Sequence, residues 1–427
     1  MTERKLTLSD ATAIGLGNII GAGIFVLAGS IIKVAGPGAL LSFLLTGVLA
    51  ITVALNSAEL SSKISAHGGL YSFARELMGE EVGFIVGWLR AVSYAIAAPA
   101  VAMGFSAYVL SMLRIESAPI LYALTILLIL LATFLNYVGI KLVADIEKVL
   151  VVISVLGLIV FIVASFIYGK WTPERFTPLI PRGPFSIISS SSLAFFAYSG
   201  FNTVATLVPE MKDGRRDAPK AILLSLGIST LLYILVVAGM LALMPWPLYG
   251  TSADPLAVAL SYSGAPGVIM LIVSAVAIVA TFTVTLSLIV AGSRTLLQMG
   301  EDGFLRSVFG GSDEMIGRSV LAIGIIAVLS TFIGNVEFIA LASNFGVVFS
   351  YALTGLEVYV SRRRNIKGMF YSPLYPYVQI LSTVLSMVVM AALGIRALYI
   401  GFLTIMSELL FYYAEKELRL SRTKNKI

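Results

Sequence analysis

The sequence predicts an all-α polytopic membrane protein: twelve transmembrane helices, a 5+5 inverted repeat with discontinuous helices 1 and 6, and two peripheral helices. Three observations carry this prediction. The chain is 58% apolar and 12% charged, with a mean hydropathy of +0.97, whereas soluble proteins carry roughly 25% charged residues. Apolar runs long enough to cross a bilayer, about 20 residues each, recur along the whole chain. Finally, the first and sixth runs are interrupted midway by glycine and serine, and they head two blocks of five runs.

The apolar runs fall at about 8–34, 38–62, 81–113, 118–138, 142–168, 186–208, 218–245, 265–298, 318–334, 336–361, 373–393 and 395–414. The organisation that follows is a single transmembrane domain over 1–427. Repeat one covers about 8–168, repeat two about 186–361, accessory helices about 373–414, and a basic tail 415–427. Placing the amino terminus in the cytoplasm puts Arg215, Arg216, Arg362, Arg363, Arg364 and the tail inside. It leaves only Lys33, Arg114, Lys170, Arg175, Arg182 and Arg396 outside, as the positive-inside rule requires. Both termini are therefore expected in the cytoplasm of a cell-membrane protein, and the tail beside anionic lipid. The first run is too long for a cleavable signal peptide and lacks its small-residue site.

Run 1 carries Gly17-Asn18-Ile19-Ile20-Gly21-Ala22-Gly23-Ile24-Phe25. Each glycine costs a helix about 1 kcal/mol relative to alanine and bares the backbone. Two readings stand at this point. Small residues let helices pack closely, or the helix breaks at Gly21–Gly23 and aims amides of its outer half at an anionic group. Bared backbone at membrane depth survives only inside protein or along a watery cavity. Run 6 reads Ser189-Ser190-Ser191-Ser192-Leu193-Ala194-Phe195-Phe196-Ala197-Tyr198-Ser199-Gly200-Phe201-Asn202, again with a weak point at mid-span. Paired interruptions at corresponding positions of two halves point to a transporter binding site. They favour the second reading.

These motifs resemble the amino acid–polyamine–organocation (APC) transporters. Gly17-x-x-x-Gly21-x-Gly23-Ile24-Phe25-Val26-Leu27-x-Gly29 is similar to that family's first-helix signature. Ala58-Glu59-Leu60 with Gly68-Gly69-x-Tyr71 resembles its segment after span 2. Phe195 to Phe201 with Pro209-Glu210 and Asp217-Ala218-Pro219-Lys220-Ala221-Ile222 resembles its span 6 and following loop. Glu301-Asp302-Gly303-Phe304-Leu305 resembles its loop after span 8. The resemblance implies the fold of sodium-coupled neurotransmitter-type symporters, alternating access, and an amino acid or amine at the midplane. It implies a substrate carboxylate on the amides of Gly21, Ala22 and Gly23. The ammonium group would meet carbonyls near Ile19, Ile20, Phe195, Phe196 and Ser199, flanked by Ala197 and Gly200, with Phe196 as an aromatic lid.

Two family features are missing. A lysine carried midway along span 5 by proton-coupled relatives is replaced here by Ser154, and an acid before the span 3 tyrosine is replaced by Ser93. Coupling is accordingly expected as proton symport through another acid or as exchange. A sodium site is the alternative, built from Ser154, Thr281, Thr283 and Thr285 with carbonyls of Gly17 and Ile20, because hard cations take oxygen ligands. Threonines satisfying their own helix are the plainer expectation. Glu59, Arg90, Asp145, Glu147, Lys148, Arg294 and Glu357 count towards the cytoplasmic third of their spans, where snorkelling or ion pairs tying helix ends are the plainer expectation, and Glu59 with Arg90 is the first pair to test for a cytoplasmic gate. With no charge at the midplane, a neutral or zwitterionic amino acid is expected, with amine or polyamine transport as an alternative. No cofactor beyond a coupling ion (H+ or Na+), no nucleic acid and no obligate protein partner is expected. The chain has no cysteine and one histidine, His67, so an intramembrane enzyme, the remote alternative, lacks a catalytic cluster.

Overall fold

The computed structural model of this chain describes residues 5–21, 23–66, 68–138, 140–250, 252–304 and 314–424, and the side chains of these apart from 140–148, 314–315 and 414–424. Among the described residues every regular element is helical, and the only extended pairing is an isolated parallel bridge between Leu6 and Met211. The expectations for Ala22, His67, the Leu305 end of the loop after the eighth run, and the side chains of Asp145, Glu147, Lys148 and the basic tail lie outside the described residues.

The chain begins with α1 (Leu8–Ile19), whose start is fixed by a reciprocal cap. The Thr7 hydroxyl accepts the Asp10 amide, and the Asp10 carboxylate accepts the Thr7 amide at 3.0 Å; such boxes satisfy the orphan donors of a first turn. A π-helical turn (Gly23–Leu27) leads into α2 (Ala28–Ala35). Then follow α3 (Ala39–Lys63), α4 (Leu70–Met78), α5 (Glu80–Leu113), α6 (Ala118–Val138) and α7 (Ile140–Tyr168). After the short α8 (Pro173–Phe176) come α9 (Pro184–Tyr198), the single turn α10 (Thr203–Thr206), α11 (Gly214–Leu243), α12 (Pro255–Tyr262) and α13 (Gly267–Glu301). The chain continues through α14 (Glu314–Ser330), α15 (Val336–Arg363), α16 (Tyr377–Ala391) and α17 (Ile395–Lys424).

Eight stretches among the described residues are long and apolar enough to cross a membrane. One of them, Leu8–Lys63, takes in the broken first unit and α3 together. The apolar segments Ile316–Ser330 and Tyr377–Ala391 are shorter, and the sixth expected run is divided between α9 and α10. Large apolar side chains such as Leu127, Phe134, Ile167, Leu231, Val268 and Phe332 face outward, each at least 60% exposed. A soluble fold would bury many of these; here they are the surface that meets hydrocarbon.

The two broken units cross at the centre. An added Cβ at Gly23 would stand 2.0 Å from the Ala197 Cα, and one at Gly200 would stand 2.1 Å from the Asn18 carbonyl oxygen. Position 23 thus faces 197 while position 18 faces 200, so the two backbones run antiparallel past each other with no side chain between them. Only glycine permits that approach. Beyond the crossing, the Leu6 amide donates to the Glu210 carbonyl and the Lys212 amide to the Leu6 carbonyl. The start of the first unit is thereby tied to the end of the second.

Candidate functional site

Both mid-run interruptions predicted from the sequence are present. α1 ends at Ile19, and Ile20 leaves the helical region with φ −77° and ψ 86°. α9 ends at Tyr198, and Ser199 has φ −69° and ψ 64°. The Ser199 amide and hydroxyl both turn back to the Phe196 carbonyl, at 3.3 and 2.9 Å, and the Gly200 amide bonds the Tyr198 carbonyl. Local bonds of this kind let backbone groups leave the helix ladder without being stranded in an apolar interior.

A cavity opens beside the crossing, leaving the centre of a water-sized sphere about 40 Å³ to move in. The first unit contributes Asn18, Ile19, Gly21 and Gly23; the second contributes Phe196, Ser199, Gly200 and Thr203. α5 adds Ser93, Tyr94, Ala97 and Val101; α13 adds Val284, Ser287, Leu288 and Ala291; α15 adds Ser343, Asn344 and Val347. No lining side chain carries a charge. One part of the wall is aliphatic, and hydroxyl and amide groups sit around the helix breaks.

Of the residues expected at a substrate site, Ile19, Gly21, Gly23, Phe196, Ser199 and Gly200 line this cavity. Three others do not. The Phe195 ring is fully buried against Tyr351, with centroids 5.5 Å apart. Ile20 and Ala197 are likewise packed away from it. A helix presents successive side chains about 100° apart, so neighbours of a lining residue point elsewhere. The residues expected around a coupling ion lie outside this cavity. The hydroxyl protons of Ser154, Thr281, Thr283 and Thr285 go to carbonyls four residues back, at 2.7 to 2.9 Å, and neither these residues nor Gly17 or Ile20 line it. Gly17 instead lets Val151 of α7 close on α1.

The expected pairing of Glu59 with Arg90 does not form. Glu59, wholly buried, takes Lys63 at 2.5 Å and Arg362 at 2.6 Å, together with the Ser372 amide and hydroxyl. Lys63 is one helical turn away and Arg362 ends α15, so the carboxylate closes a junction of α3, α15 and the approach to α16. Charges withdrawn from water need this number of partners to persist. Arg90 turns to Tyr94, bonding its hydroxyl and lying over its ring.

Several residues escaped the sequence reading. The Tyr233 hydroxyl of α11 meets the Ile19 carbonyl at 2.6 Å and the Ala197 carbonyl at 3.0 Å, joining one side of both breaks. Asn344 donates to the Ser192 carbonyl at 2.8 Å, holding α15 against α9. A tyrosine and a Ser-Asn pair in the middle of apolar runs were the available signal. Two segments noted separately in the sequence also meet: Tyr71 donates to Asp302 at 2.7 Å and Arg75 pairs with the same carboxylate at 2.8 Å. Burial, then the Asp302 carboxylate, holds the Tyr71 hydroxyl protonated far above the usual phenol range.

A broken-helix crossing lined by uncharged polar groups belongs with the sequence comparisons. The family described as amino acid permease matches residues 6–412. The chain belongs to that family, within the APC superfamily. It is 32% identical to the methylthioribose transporter of Bacillus subtilis (strain 168), across 89% of this chain and 86% of that one. It is similar also to the branched-chain amino acid permease BcaP of Lactococcus lactis subsp. cremoris (strain MG1363), 32% identical over 93% and 92%, and to that of Bacillus subtilis (strain 168), 28% identical over 98% and 95%. This permease is therefore a multi-pass membrane transporter of the amino acid class and not an enzyme.

Proposed function

We propose that this permease carries neutral, zwitterionic amino acids with branched aliphatic side chains across the cytoplasmic membrane by alternating access. Its twelve helices would form two inverted five-helix repeats and two accessory helices, with both termini in the cytoplasm. The observation that carries the substrate class is the cavity wall: no charge among its lining residues, and aliphatic side chains from α5, α13 and α15. A strongly cationic substrate would leave its charge without a counter-ion there. The ends of the broken helices supply what a zwitterion needs. α1 and α9 end towards the cavity, favouring an ammonium group, and the outer half of the first unit begins there, favouring a carboxylate. Two of the relatives named above are branched-chain amino acid permeases.

Transport is driven by protons or by exchange, with sodium coupling the alternative that the assay below separates. Purified protein in liposomes tests both statements. Labelled L-leucine is expected to accumulate, and L-lysine is not. Replacing external sodium by potassium is expected to leave L-leucine uptake unchanged. Preferential uptake of lysine or methylthioribose would refute the substrate class, and a sodium requirement would refute the coupling.

A further inference from the structure

Tyr94 lines the cavity and is bonded in turn by Arg90. Arg90 is 6% exposed on α5; one guanidinium nitrogen bonds Tyr94, and the other, Nη1, has no partner. Tyr351 of α15 lies next to Arg90, Tyr94 and Asn202, with its ring 5.5 Å from Phe195 and 5.4 Å from Phe201. Six residues further along α15, Glu357 is 1% exposed, and its Oε2 has no hydrogen-bond partner. A buried ionisable group in a membrane-spanning helix is costly, and such groups mark ion and proton routes.

α15 and α5 pack backbone to backbone, an added Cβ at Gly346 standing 2.6 Å from the Leu89 carbonyl oxygen, and this packing brings Arg90 within electrostatic reach of Glu357. α15 packs against α3, α4, α5, α9, α16 and α17. On α3, Glu59 and Lys63 are engaged with each other and with Arg362. On α4, Tyr71 and Arg75 are engaged with Asp302, and the Arg364 guanidinium reaches the Glu76 carbonyl. On α5 the remaining groups are Tyr94, bonded to Arg90, Tyr108, bonded to the Phe25 carbonyl, and the exposed Glu80 and Glu81 at the start of the helix. α9 brings Tyr198, bonded to the Phe43 carbonyl; α16 brings only the exposed Tyr377. α17 brings the buried Glu408 and, among its described side chains, Arg396, Tyr399, Tyr412 and Tyr413. On α15 itself, Tyr351 stands beside Arg90 and the exposed Tyr359 faces outward. Among the described residues, neither Arg90 nor Glu357 has an ion-pair partner.

Opposite ionisable groups, each buried and each without an ion-pair partner, lie near enough to feel one another while one of them holds a residue of the cavity wall. We propose that Glu357 is a proton-binding site linked to the substrate cavity through Arg90 and Tyr94. With the proton on Glu357, the carboxyl is neutral and Arg90 stays on Tyr94. When that proton leaves to cytoplasmic water, the carboxylate draws the guanidinium into an ion pair and withdraws it from Tyr94, loosening the wall of the cavity. One proton is bound or released per change of arrangement, and no other species is consumed. This supplies the acid that the Ser154 and Ser93 positions lack, and it rests on the amino acid transport proposed above.

The test uses the full chain in liposomes with a trapped pH-sensitive dye and L-leucine as the probe. Wild-type protein is expected to acidify the lumen as leucine enters and to show net uptake that rises with external acidity. Glu357→Gln, fixed in the neutral arrangement, is expected to lose at least tenfold of the leucine-driven acidification. Its net uptake is expected to lose its dependence on pH, while leucine counterflow falls far less. Glu357→Asp is expected to restore proton movement, and Glu408→Gln is expected to leave it in place. Proportional loss of uptake, counterflow and thermal stability in Glu357→Gln, with an unchanged pH profile, would reduce the residue to a structural one. Acidification by that variant at the wild-type rate would overturn the proposal. If Glu357→Gln does not insert, Arg90→Gln decides the matter. Losing Arg90 both disfavours the carboxylate and cuts its link to Tyr94, so the pH profile must either move its midpoint at least one unit towards alkaline pH or flatten; a wild-type profile overturns the proposal. Wild-type counterflow without proton movement defeats this inference alone, whereas a wild type with neither leucine uptake nor counterflow takes the transport reading down with it.

Discussion

Adding one methyl group at Gly23 tests the crossing of the broken helices directly. The new Cβ would lie 2.0 Å from the Ala197 Cα, 2.3 Å from its Cβ and 2.7 Å from its amide nitrogen. Carbon atoms rest at about 3.5–4.0 Å, so the two backbones would have to part by roughly 1.5 Å. A flexible side chain could swing aside, but the obstructing atoms are main chain, and their neighbour carbonyl is held by Tyr233. Overpacking of this kind costs about 1–3 kcal/mol, and a backbone obstacle places Gly23→Ala at the upper end. If the strain falls on the substrate-bound arrangement, affinity drops by roughly 5–150-fold. The decisive assay is L-leucine uptake in liposomes over a concentration series, with surface-inserted protein quantified in parallel. Gly23→Ala is expected to raise the half-saturating concentration at least tenfold, and Gly23→Leu is expected to abolish uptake while the protein still inserts. Wild-type uptake by Gly23→Leu would show that the close crossing is not the substrate site.

Two further outcomes follow from the side chains that hold the breaks and the helix ends. Tyr233→Phe removes the hydroxyl shared by the Ile19 and Ala197 carbonyls; leaving buried acceptors underserved costs about 1–3 kcal/mol, readable as a lowered melting temperature in detergent together with weaker leucine uptake. Glu59→Gln strips the counter-charge from buried Lys63 and from Arg362. Breaking a buried pair in this way costs about 3–5 kcal/mol, so thermal unfolding is expected to fall sharply, whereas the pH dependence of uptake is expected to keep its midpoint, because Arg90 is not a partner of Glu59.

The sequence by itself determined the environment, the family and the location of the breaks. Apolar runs reveal a bilayer solvent because every span must match its thickness, and glycine or serine at mid-span shows where a helix is weak, which is a local property of the chain. The pairing of Gly23 with Ala197 and of Gly200 with Asn18 was decided only by the tertiary structure. Contacts between segments about 180 residues apart depend on how helices cross, and no local pattern encodes that. The same holds for charge. The sequence placed Glu59 and Arg90 near the cytoplasmic ends of their spans but could not assign partners, and the fold gave Glu59 to Lys63 and Arg362 and left Arg90 with Tyr94. Side-chain direction separated Phe196, which lines the cavity, from Phe195, which is buried against Tyr351. One step along a helix turns a side chain by about 100°, and only the packing of α9 against α2, α3, α15 and α16 determines which of two adjacent phenylalanines lines the cavity.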